Sequence, residues 1–192
     1  MGAGRSKRDL SEEEIEFLLK HTKYNQAAIK EWHKGFIKDC PDGRLARKKF
    51  IEVYSMFCPG SNAEAFCSHV FRTFDTNRDG HINFREFLLA LDMTSSAVPE
   101  EKLKWAFQMY DVDGNGYIEI HEMTAIVDAI YSMLGKGEIQ ASYGDTPKER
   151  AQKIFTKMDV NVDGKVTQDE FIGGCMEDSE IRQLLSHGLS SK

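Results

Sequence analysis

Proline is scarce, with four residues in 192, which excludes Pro-rich linkers and leaves room for uninterrupted helices. No apolar run approaches the roughly 18 residues that span a bilayer. The polar, charged N-terminal stretch lacks the apolar segment of a cleavable signal peptide. The four cysteines, Cys40, Cys58, Cys67 and Cys175, have neither zinc nor redox spacing, and without a secretory signal they read as reduced cytosolic thiols. The six histidines form no metal-binding pair on a helix face. A Gly-rich phosphate loop, a nucleophile elbow and a catalytic metal motif are all missing, so independent catalysis is not expected. Cations are outnumbered, 25 Lys/Arg against 31 Asp/Glu. No basic groove interleaved with aromatics is visible, which argues against nucleic acid as a partner.

What the chain does contain is one twelve-residue pattern repeated four times. Intact copies begin at Asp75, Asp111 and Asp159. Each places oxygen-bearing side chains at positions 1, 3 and 5, Gly at 6, an aliphatic residue at 8 and Glu at 12. That is the spacing with which an EF-hand loop surrounds Ca²⁺ with hard oxygen ligands, Gly making the sharp turn and the last Glu binding through both oxygens. The first intact loop offers Asp75, Asn77, Asp79 and Glu86, with the His81 carbonyl at position 7 and Asn83 at 9 acting through water. The second offers Asp111, Asp113, Asn115 and Glu122, with the Tyr117 carbonyl and Glu119 at position 9. The third offers Asp159, Asn161, Asp163 and Glu170, with the Lys165 carbonyl and Thr167. At these ligand positions the Asp111 loop has four carboxylates and the others three each, so it is expected to bind most tightly.

Aligned on Gly43 and Leu45, the remaining copy has Lys38 at position 1, Cys40 at 3, Pro41 at 4 and Lys49 at 12. Ammonium groups replace two essential carboxylates and Pro stiffens the loop, so three Ca²⁺ sites and an empty first hand are expected. The residual role of that hand is structural. Hands fold in pairs, and position 8 is expected to bond across a short β-bridge, Leu45 with Ile82 and Ile118 with Val166.

The fold class that follows is all-α: four EF-hands in two paired lobes, residues 1–97 and 98–192, with short β-bridges between paired loops. Helix starts are marked by the capping box at Ser11–Glu14, by Asn25 and by Thr146-Pro147. An apolar stripe of Leu103, Ala106, Phe107 and Tyr110 predicts a helix over 100–110. Thr94–Ala97 reads as the link between lobes, Leu134–Asp145 as a surface loop rich in Gly and polar residues, and Ser179–His187 as a final amphipathic helix.

Charge and aromatics are both skewed. Residues 1–50 carry twelve Lys/Arg against eight Asp/Glu, and the rest of the chain is acidic. The basic end suits an anionic surface, although an ordinary solvated surface accounts for the charges equally well. The N-terminal half also holds Trp32, Phe36, Phe50, Tyr54, Phe57, Phe66, Phe71, Phe74, Phe84 and Phe87. Several must be core, whereas Trp32, Phe36, Phe50, Tyr54, Phe87 and Leu91 are candidates for a groove that accepts a partner helix when sensor hands open. Met1-Gly2-Ala3-Gly4-Arg5-Ser6 matches the N-myristoylation pattern at Gly2. One acyl chain holds a membrane only marginally, and Arg5, Lys7 and Arg8 would each add about 1 kcal/mol on an anionic leaflet.

The chain resembles the neuronal calcium sensor family, which includes frequenin, neurocalcin, hippocalcin, visinin-like proteins and recoverin. The resemblance covers nearly its whole length. It is carried by Lys38-Asp39-Cys40-Pro41-Asp42-Gly43, Trp32-His33-Lys34-Gly35-Phe36 and Phe71-Arg72-Thr73-Phe74-Asp75-Thr76-Asn77. Lys104-Trp105-Ala106-Phe107, Met109-Tyr110-Asp111 and Ile126-Val127-Asp128-Ala129-Ile130-Tyr131 also match. Departures are His33 where Tyr is usual, Met56-Phe57-Cys58-Pro59, and the stretch Gly135–Asp145. The resemblance implies a calcium-myristoyl switch and membrane-associated targets such as a receptor kinase, a lipid kinase, a cyclase or a channel. The expectation is a cytoplasmic, reversibly membrane-associated calcium sensor. A Ca²⁺ buffer and a constitutive subunit like calcineurin B remain the alternatives.

Overall fold

The computed structural model describes residues 10–55, 63–95, 98–134, 144–179 and 181–182. Nine helices and four short strands lie among them. The first hand follows a leading helix, α1 (Glu12–His21), and consists of α2 (Gln26–Asp39), β1 (Arg44–Ala46) and α3 (Arg47–Ser55). The second is α4 (Glu64–Phe74), β2 (His81–Asn83) and α5 (Phe84–Thr94). The third is α6 (Pro99–Tyr110), β3 (Tyr117–Ile118) and α7 (Ile120–Leu134), and the fourth is α8 (Pro147–Met158), β4 (Val166–Thr167) and α9 (Gln168–Glu177). No helix among the described residues is long and apolar enough to cross a membrane.

Local chemistry sets these boundaries. Ser11 and Glu14 form the expected reciprocal capping box on α1. The Asn25 side chain accepts the Ala28 N–H to start α2. Thr146 and Glu149 cap α8, whose first residue is Pro147. Each of these side chains satisfies backbone donors that a helix start leaves without partners. The loops pair antiparallel as expected, with Leu45 opposite Ile82 and Ile118 opposite Val166.

The core is where the two pairs differ. One large cluster takes in Phe50 of α3, Phe66, Val70 and Phe71 of α4, and side chains from all four helices of the second pair. A separate small cluster joins Leu18 of α1, Ile29 and Phe36 of α2, and Phe84 and Leu88 of α5. The N-terminal pair is thus divided: α4 packs on α6 and α7 with α3 against it, while α2 and α5 pack with α1, α5 also touching α6. At the boundary between pairs, Phe74 meets the buried Trp105 edge-on at 5.7 Å between ring centroids. Ile181, at the start of the last expected helix, is buried in the large core. Residues 180 and 183–187 of that segment, the arm with Gly2, Arg5, Lys7 and Arg8, Phe57, most of the 134–145 loop, and Ser96-Ala97 lie outside the described residues. Thr94, read as linker, is instead the last residue of α5.

Candidate calcium sites

Three helices stop one residue short of an expected ligand. Phe74, Tyr110 and Met158 end α4, α6 and α8, and Asp75, Asp111 and Asp159 take the C-cap positions. From there the three loops repeat the same bonds. The first carboxylate accepts the N–H of positions 5 and 6: Asp75 from Asp79 and Gly80 (3.1 and 2.9 Å), Asp111 from Asn115 and Gly116 (3.0 and 2.9 Å), Asp159 from Asp163 and Gly164 (3.1 and 3.0 Å). Position 3 accepts from position 5, through Asn77, Asp113 and Asn161. Position 5 accepts from position 7, so that His81, Tyr117 and Lys165 donate to Asp79, Asn115 and Asp163. The turn needs a left-handed residue at position 6, met by Gly80, Gly116 and Gly164 at φ +82, +88 and +80.

The position-12 glutamates close the loops. Glu86 accepts from Asn77 N–H and the Thr76 hydroxyl with one oxygen and from Asn83 N–H with the other. Glu122 does the same with Val112, Asp113 and Glu119. Glu170 accepts from the backbone and hydroxyl of Thr167, and these bonds, with the N–H groups of Val160 and Asn161, hold its carboxyl below the usual range.

This donor set fits Ca²⁺. Glu122 is only 2% exposed, and Asp111, Asp113 and Glu122 each bring a carboxylate oxygen to within 4.8 Å of the others. Three carboxylates crowded together, one of them buried, repel one another unless a cation joins them. All are hard oxygen ligands on a flexible loop, the chemistry Ca²⁺ prefers. Glu119, at position 9, lies 3.2 Å from His121 Nδ1 and is not among the three oxygens grouped within 4.8 Å.

The first loop is built differently. Helix α2 runs on through Lys38 and Asp39, the positions that hold the first two loop residues in the other hands, and ends at the buried Cys40. A tight turn follows, with Gly43 N–H donating to the Cys40 carbonyl (2.9 Å) and Gly43 at φ +76. Arg44 N–H donates to Asp42. Lys49 faces a cleft rather than a loop centre.

That cleft, of about 670 Å³, separates the two clusters of the N-terminal pair. Trp32, Phe36, Phe50, Tyr54 and Phe87 all line it, with Leu45 and Val53. Trp32 is 41% exposed and meets Phe87 edge-on at 6.1 Å. Leu91 does not line it: one turn beyond Phe87, it packs against the small cluster of α1, α2 and α5 instead.

Two polar arrangements have no clear signature in sequence. Asp145, buried just before α8, accepts from the Tyr131 hydroxyl (3.0 Å), Arg150 Nε and Lys153 Nζ (3.0 and 3.2 Å). Arg72 of α4 reaches out of its own hand to the backbone of the third loop. Arg72 stands on a helix that also carries Glu64, Ser68, His69 and Thr73, so nothing in the local sequence marks its reach.

An EF-hand domain pair model matches residues 100–186, and an EF hand domain model matches residues 66–94. Neuronal calcium sensor 1 of Aplysia californica is 46% identical over 97% of this chain and 96% of its own length. Recoverin of Homo sapiens is 40% identical over 92% and 89%, and visinin of Gallus gallus 37% over 97% and 98%. With relatives named as calcium sensors matching over nearly the full length, and loops whose donors fit Ca²⁺, the chain belongs to the neuronal calcium sensor family of EF-hand proteins.

Proposed function

We propose that the chain is a regulatory sensor rather than an enzyme. Its Asp75, Asp111 and Asp159 loops hold three Ca²⁺, the Lys38–Lys49 loop stays empty, and its N-terminal cleft captures an amphipathic helix of a membrane-associated target. The observation that carries this reading is the divided N-terminal core. An aromatic-walled cleft with Trp32 at its rim costs hydration free energy and suits the apolar face of a helix. A passive buffer has no use for such a surface, since buffer hands barely open.

The two lysines argue for an empty first hand. Lys38 and Lys49 stand where carboxylates are needed, and α2 occupies the backbone that would wrap the ion. The Met1–Ser6 pattern supports acylation at Gly2, with Arg5, Lys7 and Arg8 adding attraction to an anionic leaflet. Receptor kinases, lipid kinases, cyclases and channels are the target classes in view. Reversing a 1:99 equilibrium takes about 5.5 kcal/mol, under about 2 kcal/mol from each of three sites.

The acylated chain is tested with anionic vesicles and with an apolar dye, each with Ca²⁺ and with chelator. Ca²⁺ is expected to increase both vesicle co-sedimentation and dye fluorescence, and Gly2→Ala to remove only the first. Dye fluorescence indifferent to Ca²⁺ would favour a buffer or a constitutive subunit. Sedimentation indifferent to both Ca²⁺ and Gly2 would eliminate the membrane switch.

A further inference from the structure

The second and third loops belong to different hand pairs, yet they face each other across the boundary. Arg72, three residues before Asp75, extends from α4 to the end of α6. Its Nη2 donates to the Met109 carbonyl at 2.5 Å, and its Nη1 to the carbonyls of Val112 and, at 3.5 Å, Asp111. Those oxygens belong to the last turn of α6 and the first two residues of the third loop. A helix end leaves such carbonyls without partners, and a cation there complements the helix dipole. The planar guanidinium fork holds several acceptors in fixed directions, which an ammonium does not. Arg72 Nε is buried and has no hydrogen-bond partner among the described residues, so the bonds this guanidinium makes there all run to the far side of the boundary.

A second contact spans the same boundary. Arg78 is position 4 of the second loop and Gly114 is position 4 of the third. A Cβ at Gly114 would lie 2.9 Å from Arg78 Nη2, so the tip of the Arg78 side chain rests directly against the Gly114 backbone. A cleft of about 300 Å³ lies between them, lined by Arg72, Asp75, Arg78, Asp111 and Gly114.

From this geometry we infer that Arg72 is a positioning residue that couples Ca²⁺ occupancy of the Asp75 loop to that of the Asp111 loop, across the two pairs. Asp75 caps α4, so ordering its carboxylate fixes the helix end on which Arg72 is mounted. Arg72 in turn fixes the backbone from which Asp111 and Asp113 present their oxygens. The coupling is reciprocal by thermodynamic necessity. The inference rests on both loops binding Ca²⁺, which the single-loop chains below check separately.

The test uses the full chain with Glu170→Gln silencing the fourth hand. Calorimetry gives the binding constant of each loop alone, the other being silenced by Glu86→Gln or Glu122→Gln, and then of both together. The coupling factor is the two-loop product divided by the product of the single-loop constants. It is expected to be about fivefold or more with Arg72 present and to fall to about one in Arg72→Met and Arg72→Lys. Lys keeps the charge and loses the fork, so it separates geometry from electrostatics and serves if the Met variant does not fold. A factor near one with Arg72 in place overturns the inference. A factor retained in Arg72→Lys while the melting temperature falls also overturns it, leaving Arg72 a structural residue. Silent single-loop chains would instead count against the calcium reading itself.

Discussion

In the C-terminal pair, α6, α7, α8 and α9 close on one set of fully buried side chains, among them Tyr110, Met123, Ile126 and Phe171. In the N-terminal pair the same helix–loop–helix units are held apart: α2 and α5 pack on α1, while α4 packs on the other pair and carries α3 with it. Both pairs carry the same antiparallel loop bridge, so the bridge does not decide whether a pair closes. Helix partners do. The extra helix α1 gives α2 and α5 an alternative surface to bury, and the boundary between pairs gives α4 another, with α3 packed on α4. The faces left between them form the aromatic cleft.

The sharpest way to break this comparison is to truncate one aromatic in each pair. Phe171 is fully buried against Phe107 and Tyr110, at 5.8 and 5.4 Å between centroids. Phe171→Ala is expected to cost about 3–5 kcal/mol in denaturant unfolding. Trp32→Ala, at the cleft rim, loses only its partial burial and its ring contact with Phe87 and is expected to cost about 1–2 kcal/mol while abolishing the calcium-dependent dye signal. Equal losses from the two would mean that the cleft is core and the pairs are not different in kind.

Next in size is Asp145, which anchors the start of α8 in the closed pair. Asp145→Ala removes the carboxylate that gathers the Tyr131 hydroxyl, Arg150 and Lys153, while Tyr131 and Arg150 keep their bond to each other, and about 1–3 kcal/mol of stability is expected to go with it. Its ionisation also sets a pH window. Burial opposes the charge, but hydrogen bonds from Lys153 and Tyr131 and the charge of Arg150 outweigh it, and the carboxyl sits below its ordinary value of 3.8. A depressed carboxyl stabilises fully above the unfolded value and loses that contribution as pH falls through the folded one. The closed pair should therefore feel this group only below about pH 4.

The open pair has its own titration in a higher window. His69 of α4 is pushed down to about 4 by burial and by the nearby charges of Arg72 and Arg47. The unfolded chain takes up this proton near 6.5 and the folded chain does not, so the contribution is complete above pH 6.5 and falls away between 6.5 and 4. Melting curves in chelator are expected to lose stability across that range, and His69→Gln to flatten the loss. If His69→Gln leaves the slope unchanged, the two pairs are not distinguished by pH in this way.

Much of this molecule can be read from its sequence because the relevant spacings are local. Ligand positions, the glycine at position 6, the caps at Ser11, Asn25 and Thr146, and the Leu45–Ile82 and Ile118–Val166 bridges each depend on residues close together or on one repeated register. What could not be read depends on which neighbour covers a face. Helical periodicity marks Phe87 and Leu91 as one stripe, yet one lines the cleft and the other packs against α1 and α2. Arg72 looks like a solvated cation until α6 is placed across from it.

The smallest expected effect compares the loops at position 4, where the left-handed turn needs a residue tolerant of positive φ. The second loop places Arg78 there at φ +57, the third Gly114 at +77 and the fourth Val162 at +58. A β-branched side chain is the poorest of these choices, because its Cβ substituents crowd the backbone in this region. Val162 gains little in return, being 84% exposed. Val162→Gly relieves about 1–2 kcal/mol of strain and gives back about 0.4–1 kcal/mol through the freer unfolded chain. The net gain expected is up to about 1 kcal/mol, seen as a higher melting temperature in chelator. Arg78→Gly should gain less, since Arg carries no branch at Cβ. Reversal of that order would show that position 4 is governed by the contacts of Arg78 across the boundary between pairs rather than by backbone strain.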